Sequence, residues 1–498
     1  MQFDPATCPV IVGTGQVNDR PADPLQGRDP PALMAEALRL ADADAGGGWL
    51  ARVDSLAVVS QISFPQLNPV DGRVAELLGI APRHSEQTPL PHGDGPVRLL
   101  DEAATRIAQG RARVVAVTGA EALRTAGALA KAGGQGGDNV LQAAARARPT
   151  DYRGAYGLRL PVDVYPLYEN ALRASLGQSL AEGQAESGAI WAAMSQMAAA
   201  NPAAWMREPV AAETIVTPSA DNRPIAFPYT KLMVANAAVN QGAGFIVTSL
   251  AEARAHGIAD DRLVFVGLGA AAKEPADFLA RADYRSSPSL EISIREALRR
   301  NSVAAEELAH AELYSCFSCM PKMARRVLGW PLDRPVSLFG GLTFGGGPIA
   351  NYMSHAVASM VDALRAGGGK GLLFANGGYA TDSHTIMLGS EPFAPTGAPR
   401  DYDVQAQADA LRGPVPSLDP SYAGAAEIES YTVHYRRDGS ARSGTIVART
   451  AQGSRTLALV PGEDTATIAF LTDGAAEPVG ARGEIVAGEG GLSYWRAA

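Results

Sequence analysis

The chain has 498 residues, enough for several domains and a large buried core. Its hydrophobic share of 46% and charged share of 19% are those of a globular protein, and a net charge of −9 argues against nucleic acid or an anionic membrane surface as a partner of the whole chain. Its three cysteines, Cys8, Cys316 and Cys319, make neither a disulfide framework nor a zinc-ligand spacing, so no metal site is expected.

Met1-Gln2-Phe3-Asp4-Pro5 has no basic stretch ahead of an apolar core, so no signal peptide is expected. No apolar run is long enough to span a bilayer, and a cytoplasmic location is expected. Residues 9–15 read as a buried strand ending in a glycine turn, 30–45 as an amphipathic helix, 53–60 as a strand and 71–78 as a short helix closed by Gly79. Residues 87–90 read as a strand delivering His92-Gly93-Asp94-Gly95-Pro96 to a helix over 99–107. Gly110, a strand at 114–117 and Gly119 follow.

From 123 to 235 the α/β rhythm breaks. Helical runs at 165–176 and 181–199 alternate with loops such as Asn222-Arg223-Pro224 and Phe227-Pro228-Tyr229, the texture of an inserted subdomain. A strand at 242–247 resumes the core. The second half repeats the first: strand 263–269, helix 289–300, strand 311–314, helix 317–328, then Phe339-Gly340-Gly341-Leu342-Thr343-Phe344-Gly345-Gly346-Gly347-Pro348, a glycine loop entering a helix from Tyr352 to Leu364. Such a loop lets a ligand approach the backbone and aims free N–H groups at it. Gly367-Gly368-Gly369, a strand at 372–374, Asn376-Gly377-Gly378 and a strand at 385–388 close the unit. Gly-Pro, buried helix, Gly, strand, Gly occurs twice, which implies a duplicated α/β half-domain.

Residues 391–420 read as a Pro- and Asp-rich linker. Short strands at 428–435, 445–449, 456–460, 466–471 and 483–486 then imply a small all-β barrel, of the oligonucleotide/oligosaccharide-binding (OB-like) kind. Arg436, Arg437, Arg442 and Arg449 make it locally basic, which reads as a solvated face and not as a nucleic-acid site.

In this order the motifs resemble the thiolase superfamily over about residues 6–390, and most closely the thiolase-like proteins of type 1, an acetyl-CoA acetyltransferase-like group with an extra C-terminal β domain. Asn222-Arg223-Pro224-Ile225, Pro228-Tyr229-Thr230-Lys231, Leu313-Tyr314-Ser315-Cys316-Phe317 and Gly340-Gly341-Leu342 continued to Gly346-Gly347-Pro348 carry the likeness. It implies two βαβαβαββ halves in a five-layer αβαβα core. The halves are 1–122 with 236–258, and 259–390; the inserted helical loop domain is 123–235, the linker 391–420 and the β domain 421–498. It further implies coenzyme A or acyl-CoA as substrate, no covalently bound cofactor, and a monomer or homodimer.

The same resemblance puts His92 at the position of the nucleophilic cysteine, Gly347 at that of the G-H-P histidine, Ala375 at that of the C-x-G acid/base cysteine and Tyr314 at that of the third-motif asparagine or histidine. All four side chains of thiolase Claisen chemistry are changed, so the ping-pong route through a thiolate is not expected. The backbone N–H groups of His92 and Gly377 remain as an expected oxyanion hole, and Gly346, Gly347, Tyr229 and Lys231 are expected to line the CoA pocket. His92, at a helix start, suits a neutral base. Some thiolase-fold retro-aldolases use tyrosines at places comparable to Tyr314 and Tyr352; for Tyr352 the plain alternative is core packing. Cys316 and Cys319 read as buried bystanders, and His355 and His384 as structural. Three readings follow: an acyltransferase of divergent chemistry, a retro-aldol carbon–carbon lyase using Tyr314, or a non-catalytic CoA- or lipid-binding protein.

Overall fold

The computed structural model describes residues 4–134, 149–394 and 399–497. Met1-Gln2-Phe3, residues 135–148 of the expected insertion and 395–398 of the expected linker lie outside the described residues. The first strands are β1 (Pro9–Asn18), β2 (Ser55–Val58), β3 (His84–Gln87), β4 (Val114–Ala122), β5 (Pro224–Ala226), β6 (Tyr229–Thr230) and β7 (Asn240–Ser249). The second half supplies β8 (Val264–Val266), β9 (Ala270–Lys273), β10 (Leu308–Leu313), β11 (Lys370–Gly377) and β12 (Asp382–Gly389). The last are β13 (Gly424–Tyr435), β14 (Ala441–Thr450), β15 (Arg455–Pro461), β16 (Arg482–Ala487) and β17 (Ser493–Ala497).

The pairing displays the duplication. In the first half β1 lies antiparallel to β7, β7 antiparallel to β4, and β4 parallel to β2. In the second, β8 and β9 lie antiparallel to β12, β12 antiparallel to β11, and β11 parallel to β10. A β1–β8 pairing joins the halves into one ten-stranded sheet.

Side-chain alternation sorts the layers. Val10 and Val12 of β1 face an outer cluster with Leu33, Met34 and Leu38 of helix α1 (Pro30–Asp44), while Ile11 joins the main core. Helix α2 (Asp71–Leu78) packs beside α1. Helix α3 (Gly95–Ala108) and the helix Tyr352–Gly367 lie against each other between strands of both halves, and the helix Pro288–Arg300 covers β9 and β12 from the far side. The result is the expected five layers.

In the β domain, β13–β14–β15–β17–β16 returns to β13 and closes a five-stranded barrel. The β5–β6 hairpin from the insertion adds to the edge of β13. Residues 466–471, expected as a strand, form the helix Thr465–Thr472: the Asp464 side chain accepts from the Thr467 N–H at 3.1 Å and caps it. The expected strand at 87–90 ends at Gln87, and the chain loops from there to His92. Within 391–420 lies the helix Gln405–Leu411, packed on the helix Pro288–Arg300 and on β9. Among the described residues no helix is long and apolar enough to cross a membrane.

Barrel and core are tied by buried polar contacts. Arg455, fully buried, donates through Nη2 to Glu429 Oε1 at 2.6 Å and through Nη1 to the carbonyl oxygens of Leu279 and Arg281. Ser430 Oγ donates to Leu167 O at 2.6 Å and Asn170 Nδ2 to Tyr431 O at 2.9 Å. Arg449, one of the arginines read as a solvated basic face, pairs with Glu429 at 2.8 Å. Removing one partner of a buried ion pair strands the other charge, so Arg455→Ala is expected to cost about 3–5 kcal/mol in urea unfolding. Exposed Arg442→Ala is expected to stay within about 0.5 kcal/mol in the same measurement.

Candidate active site

The site is built where the start of α3 meets the β11–β12 turn. His92 O accepts from Gly95 N–H at 3.0 Å, and Pro96 follows as an early helical residue whose missing N–H costs nothing. Asp94 stands at the N-cap, but in a helical conformation and with no side-chain cap hydrogen bond, so its carboxylate remains free. Asp382, the first residue of β12, is paired with Gly377, the last of β11. A Cβ on Gly377 would lie 2.9 Å from Asp94 Oδ1, 3.1 Å from His92 Cβ and 3.3 Å from Asp382 Oδ2. Only a glycine lets the turn come this close.

His92 Nδ1 lies 2.8 Å from Asp382 Oδ2. A carboxylate only accepts, so Nδ1 carries the proton and the neutral ring keeps its lone pair on Nε2. Lys273 Nζ reaches the other oxygen of Asp382 at 3.1 Å. The hydrogen bond to Asp382 raises the His92 proton affinity above its ordinary value, against the opposing effect of burial. Burial acts to raise Asp382, but His92 and Lys273 outweigh it and hold the carboxyl below its usual range. Asp94 is pushed up, first by burial and then by the charge of Asp382. These groups line an open cleft of ≈ 410 Å³ with Arg98, Ser383, His384, Tyr402 and Gln405.

At the floor of this cleft, β12 and α3 carry a second pair. Residues 382 and 384 share a face of β12, and 94, 98 and 101 share a face of α3. His384 Nε2 lies 3.1 Å from Asp101 Oδ2, both buried, and Tyr402 packs on the His384 ring at 4.8 Å.

Tyr314 lies across the backbone of residue 93 from this group. A methyl on Gly93 would overlap the Tyr314 hydroxyl and the Asn376 carbonyl oxygen. The Tyr314 ring meets Tyr352 edge-on at 5.8 Å, and its hydroxyl makes no hydrogen bond among the described residues. Burial, then Cys316 and Asp94, raise it well above the tyrosine range. Asn376 Nδ2 donates to the Tyr165 hydroxyl at 2.7 Å. Cys316 is buried and pushed up to about 12, and burial and then the charge of Glu169 hold Cys319 well above its ordinary value.

The structure therefore brings His92 and Gly377 together, with Tyr314 one backbone away. It disagrees with the expected oxyanion hole in one half: the His92 N–H is spent on Leu90 O at 3.0 Å, in a tight turn. Gly346 has φ 107°, and a side chain there would overlap the Gln241 amide; the Gly347 N–H donates to Asn236 O at 2.9 Å. Tyr229 is buried and faces inward, its hydroxyl donating to Glu169 at 3.0 Å beside the buried Lys322–Glu169 pair, so it offers a ligand no free group. Lys231 is exposed, its Nζ 3.5 Å from Asp221 O. Neither Tyr229, Lys231 nor the glycine pair lines the His92 cleft.

Asp382, Asp94 and Lys273 did not stand out in the sequence; the only trace is the mirrored spacing of His92-Gly93-Asp94 and Asp382-Ser383-His384. One ligand atom from each of His92, Asp94 and Asp382 lies within 4.8 Å of the other two, a spacing that would also admit a divalent cation. Asp382 accepts from His92 Nδ1 through one oxygen and pairs with Lys273 through the other.

Residues 403–489 match the family described as the thiolase-like protein type 1 additional C-terminal domain. The chain is similar along its whole length to a monomeric SCP2-thiolase-like protein type 1 from Mycobacterium smegmatis, with 31% identity, 100% of both chains covered and a TM-score of 0.83. Human mitochondrial 3-ketoacyl-CoA thiolase in complex with CoA shares the fold at 15% identity and TM-score 0.59, over 78% of this chain and 99% of that one. An Ltp2–ChsH2(DUF35) aldolase does so at 18% identity and TM-score 0.57, over 78% and 98%. No curated protein matches the chain.

Two outcomes are expected. The His92 ring, followed by NMR, titrates above the ordinary 6.5, and Asp382→Asn moves that titration down because it removes the group that raises it. Gly93→Ala costs about 1–3 kcal/mol in urea unfolding, the overpacking penalty of a methyl against Tyr314.

Proposed function

We propose that this chain, which belongs to the SCP2-thiolase-like proteins of type 1, acts on an acyl-CoA thioester by acid–base chemistry centred on His92. The observation that carries this reading is the His92–Asp382 contact at 2.8 Å in an open cleft, while both core cysteines are buried and their thiols pushed up by that burial. A thiolase-type acyl-enzyme needs a thiolate. An imidazole held by a carboxylate can instead act on the acceptor.

In the first reading, His92 Nε2 takes the proton of an acceptor hydroxyl or thiol, whose oxygen or sulfur attacks the thioester carbonyl. The carbon–sulfur bond breaks, and the CoA thiolate leaves with the proton held by His92. Asp382 orients the ring and stabilises the imidazolium, and Lys273 steadies Asp382. This is direct acyl transfer, with CoA as substrate and product and no covalent cofactor.

A second reading is supported by the Tyr314 hydroxyl, unbonded one residue from His92, and by the aldolase among the similar structures. The base would remove the β-hydroxyl proton of a β-hydroxyacyl thioester, the Cα–Cβ bond would break to an aldehyde, and the enolate would regain the proton at Cα. A monomer fits both: β3, the outer edge of the first half, is four residues long and carries His84 and Glu86, clasped by Arg106. The similar Mycobacterium smegmatis protein is described as monomeric.

The test is mass spectrometry of thioesters and products after incubation with acyl-CoA and β-hydroxyacyl-CoA panels. His92→Ala is expected to lower turnover about 10²–10⁴-fold, and Cys316→Ser to leave it unchanged. The rate should rise with pH as His92 loses its proton, through a value above 6.5. Asp382, Asp94 and Lys273 face the ring, and Asp382→Asn should move that limb to lower pH. Free aldehyde with loss in Tyr314→Phe selects the lyase. Turnover that survives His92→Ala ends the His92 assignment, and saturable CoA binding without turnover selects a binding protein.

A further inference from the structure

Outside the His92 cleft, three arginines lie on segments that meet beside the glycine loop. Arg20 follows β1, Arg124 lies in the first turn of the helix Leu123–Ala132, and Arg207 follows Trp205 and Met206. The Arg20 guanidinium stacks over the Trp205 ring at 4.0 Å, and its Nη2 donates to the carbonyl oxygens of Trp205 and Ala204. Arg124 Nη1 donates to Pro21 O at 3.3 Å, immediately beside Arg20. The Trp205 N–H donates to Gly345 O at 2.9 Å and the Met206 N–H to Phe344 O at 2.7 Å, so the cluster is fastened to the loop that opens onto the Tyr352–Gly367 helix.

No carboxylate pairs with any of the three among the described residues. Asp19, the nearest acid in sequence to Arg20, is taken by Arg28 at 3.1 Å, and Asp23 caps its own turn by accepting from Leu25 N–H. Partial burial and then the charges of Arg124 and Arg207 hold the Arg20 guanidinium below the ordinary arginine range. Arg20 and Arg124 are held on neutral carbonyls, Arg207 is exposed two residues beyond Trp205, and like charges so placed repel one another. An anion among them would turn that repulsion into attraction. The planar guanidinium fork matches the oxygens of a phosphate in paired hydrogen bonds.

We propose that Arg20, Arg124 and Arg207 form an oxyanion site that takes a phosphate group. CoA offers such a group in its 3′-phosphate and its diphosphate, and free phosphate offers the same chemistry. The choice of CoA as the source rests on the function proposed above; the site itself does not. Stacking on Trp205 holds one guanidinium in place before the ligand arrives, and the backbone carbonyls of Trp205 and Ala204 hold its orientation.

The experiment is calorimetric titration of the full chain with CoA, dephospho-CoA and inorganic phosphate, with Trp205 fluorescence as a second readout against Trp205→Phe. Wild-type protein is expected to bind CoA saturably, with a fluorescence change absent in Trp205→Phe. Arg20→Ala/Arg207→Ala should weaken CoA binding at least about ten-fold, and Arg20→Lys, which keeps the charge and loses the fork, should fall between. Dephospho-CoA matching the double variant's loss assigns the 3′-phosphate. Inorganic phosphate binding that needs the arginines, without CoA binding, upholds the site and removes CoA as its source. A double variant that binds every probe as the wild type does, or no binding of any probe, overturns the proposal. Unchanged turnover of short acyl thioesters lacking a nucleotide, in the same variants, separates this site from the His92 assignment.

Discussion

Two helix starts must be buried at the centre of this molecule, and most of its architecture answers to that requirement. A helix N-terminus leaves N–H groups without intrahelical partners, and in a core they cannot turn to water. At the start of α3, Pro96 removes one of those groups, and glycine at 93 lets Tyr314 and the Asn376 backbone approach closely. The contact across the halves is then made by side chains, His92 from one and Asp382 from the other. The polar groups most able to do chemistry sit at the seam because that is where the duplicated halves cannot be sealed with apolar residues alone.

The β domain is fastened to this core and does not hang from a tether. The barrel shares an edge with the β5–β6 hairpin, buries Arg455 among the carbonyls of 279–282, and receives the strap of 399–420 that runs along the helix Pro288–Arg300. Tyr402 in that strap forms part of the His92 cleft and packs on His384. The segment that leads to the β domain thus contributes a wall of the candidate site, a role that its Pro- and Asp-rich composition does not suggest.

The layering was readable in the chain because it rests on local signals: glycine–proline entries, 3.6-residue and two-residue apolar periods, and their repetition. Residues 466–471 misled for a local reason too, since Ala466, Ile468 and Phe470 alternate like a strand while the helix is decided by the Asp464 cap. The site was half legible. His92 and Gly377 lie in glycine-rich turns that mark close approach, but Asp382 and Lys273 come from strands of the other half and acquire meaning only through tertiary pairing. Tyr229 sits in a string that resembles a ligand-binding motif, yet its hydroxyl serves the buried Glu169. Sequence can name a polar residue at a helix start; which carboxylate reaches it depends on the packing of two sheets.

The exchange of thiol for imidazole has a direct electrostatic reading. A thiol pushed up to about 12, as Cys316 is, exists as thiolate in only about one molecule in 10⁵ at pH 7. Burial dominates there and outweighs the hydrogen bonds from Tyr165 and Asn376 that favour the thiolate. At His92 the balance is reversed: part of the ring meets solvent, and the Asp382 carboxylate favours the protonated form against burial. A histidine whose proton affinity is raised by a carboxylate can take a proton and return it within one cycle. The half-exposed, carboxylate-held ring of His92 is thus better placed for proton transfer than the buried thiol of Cys316, which is the ground on which the proposed function rests.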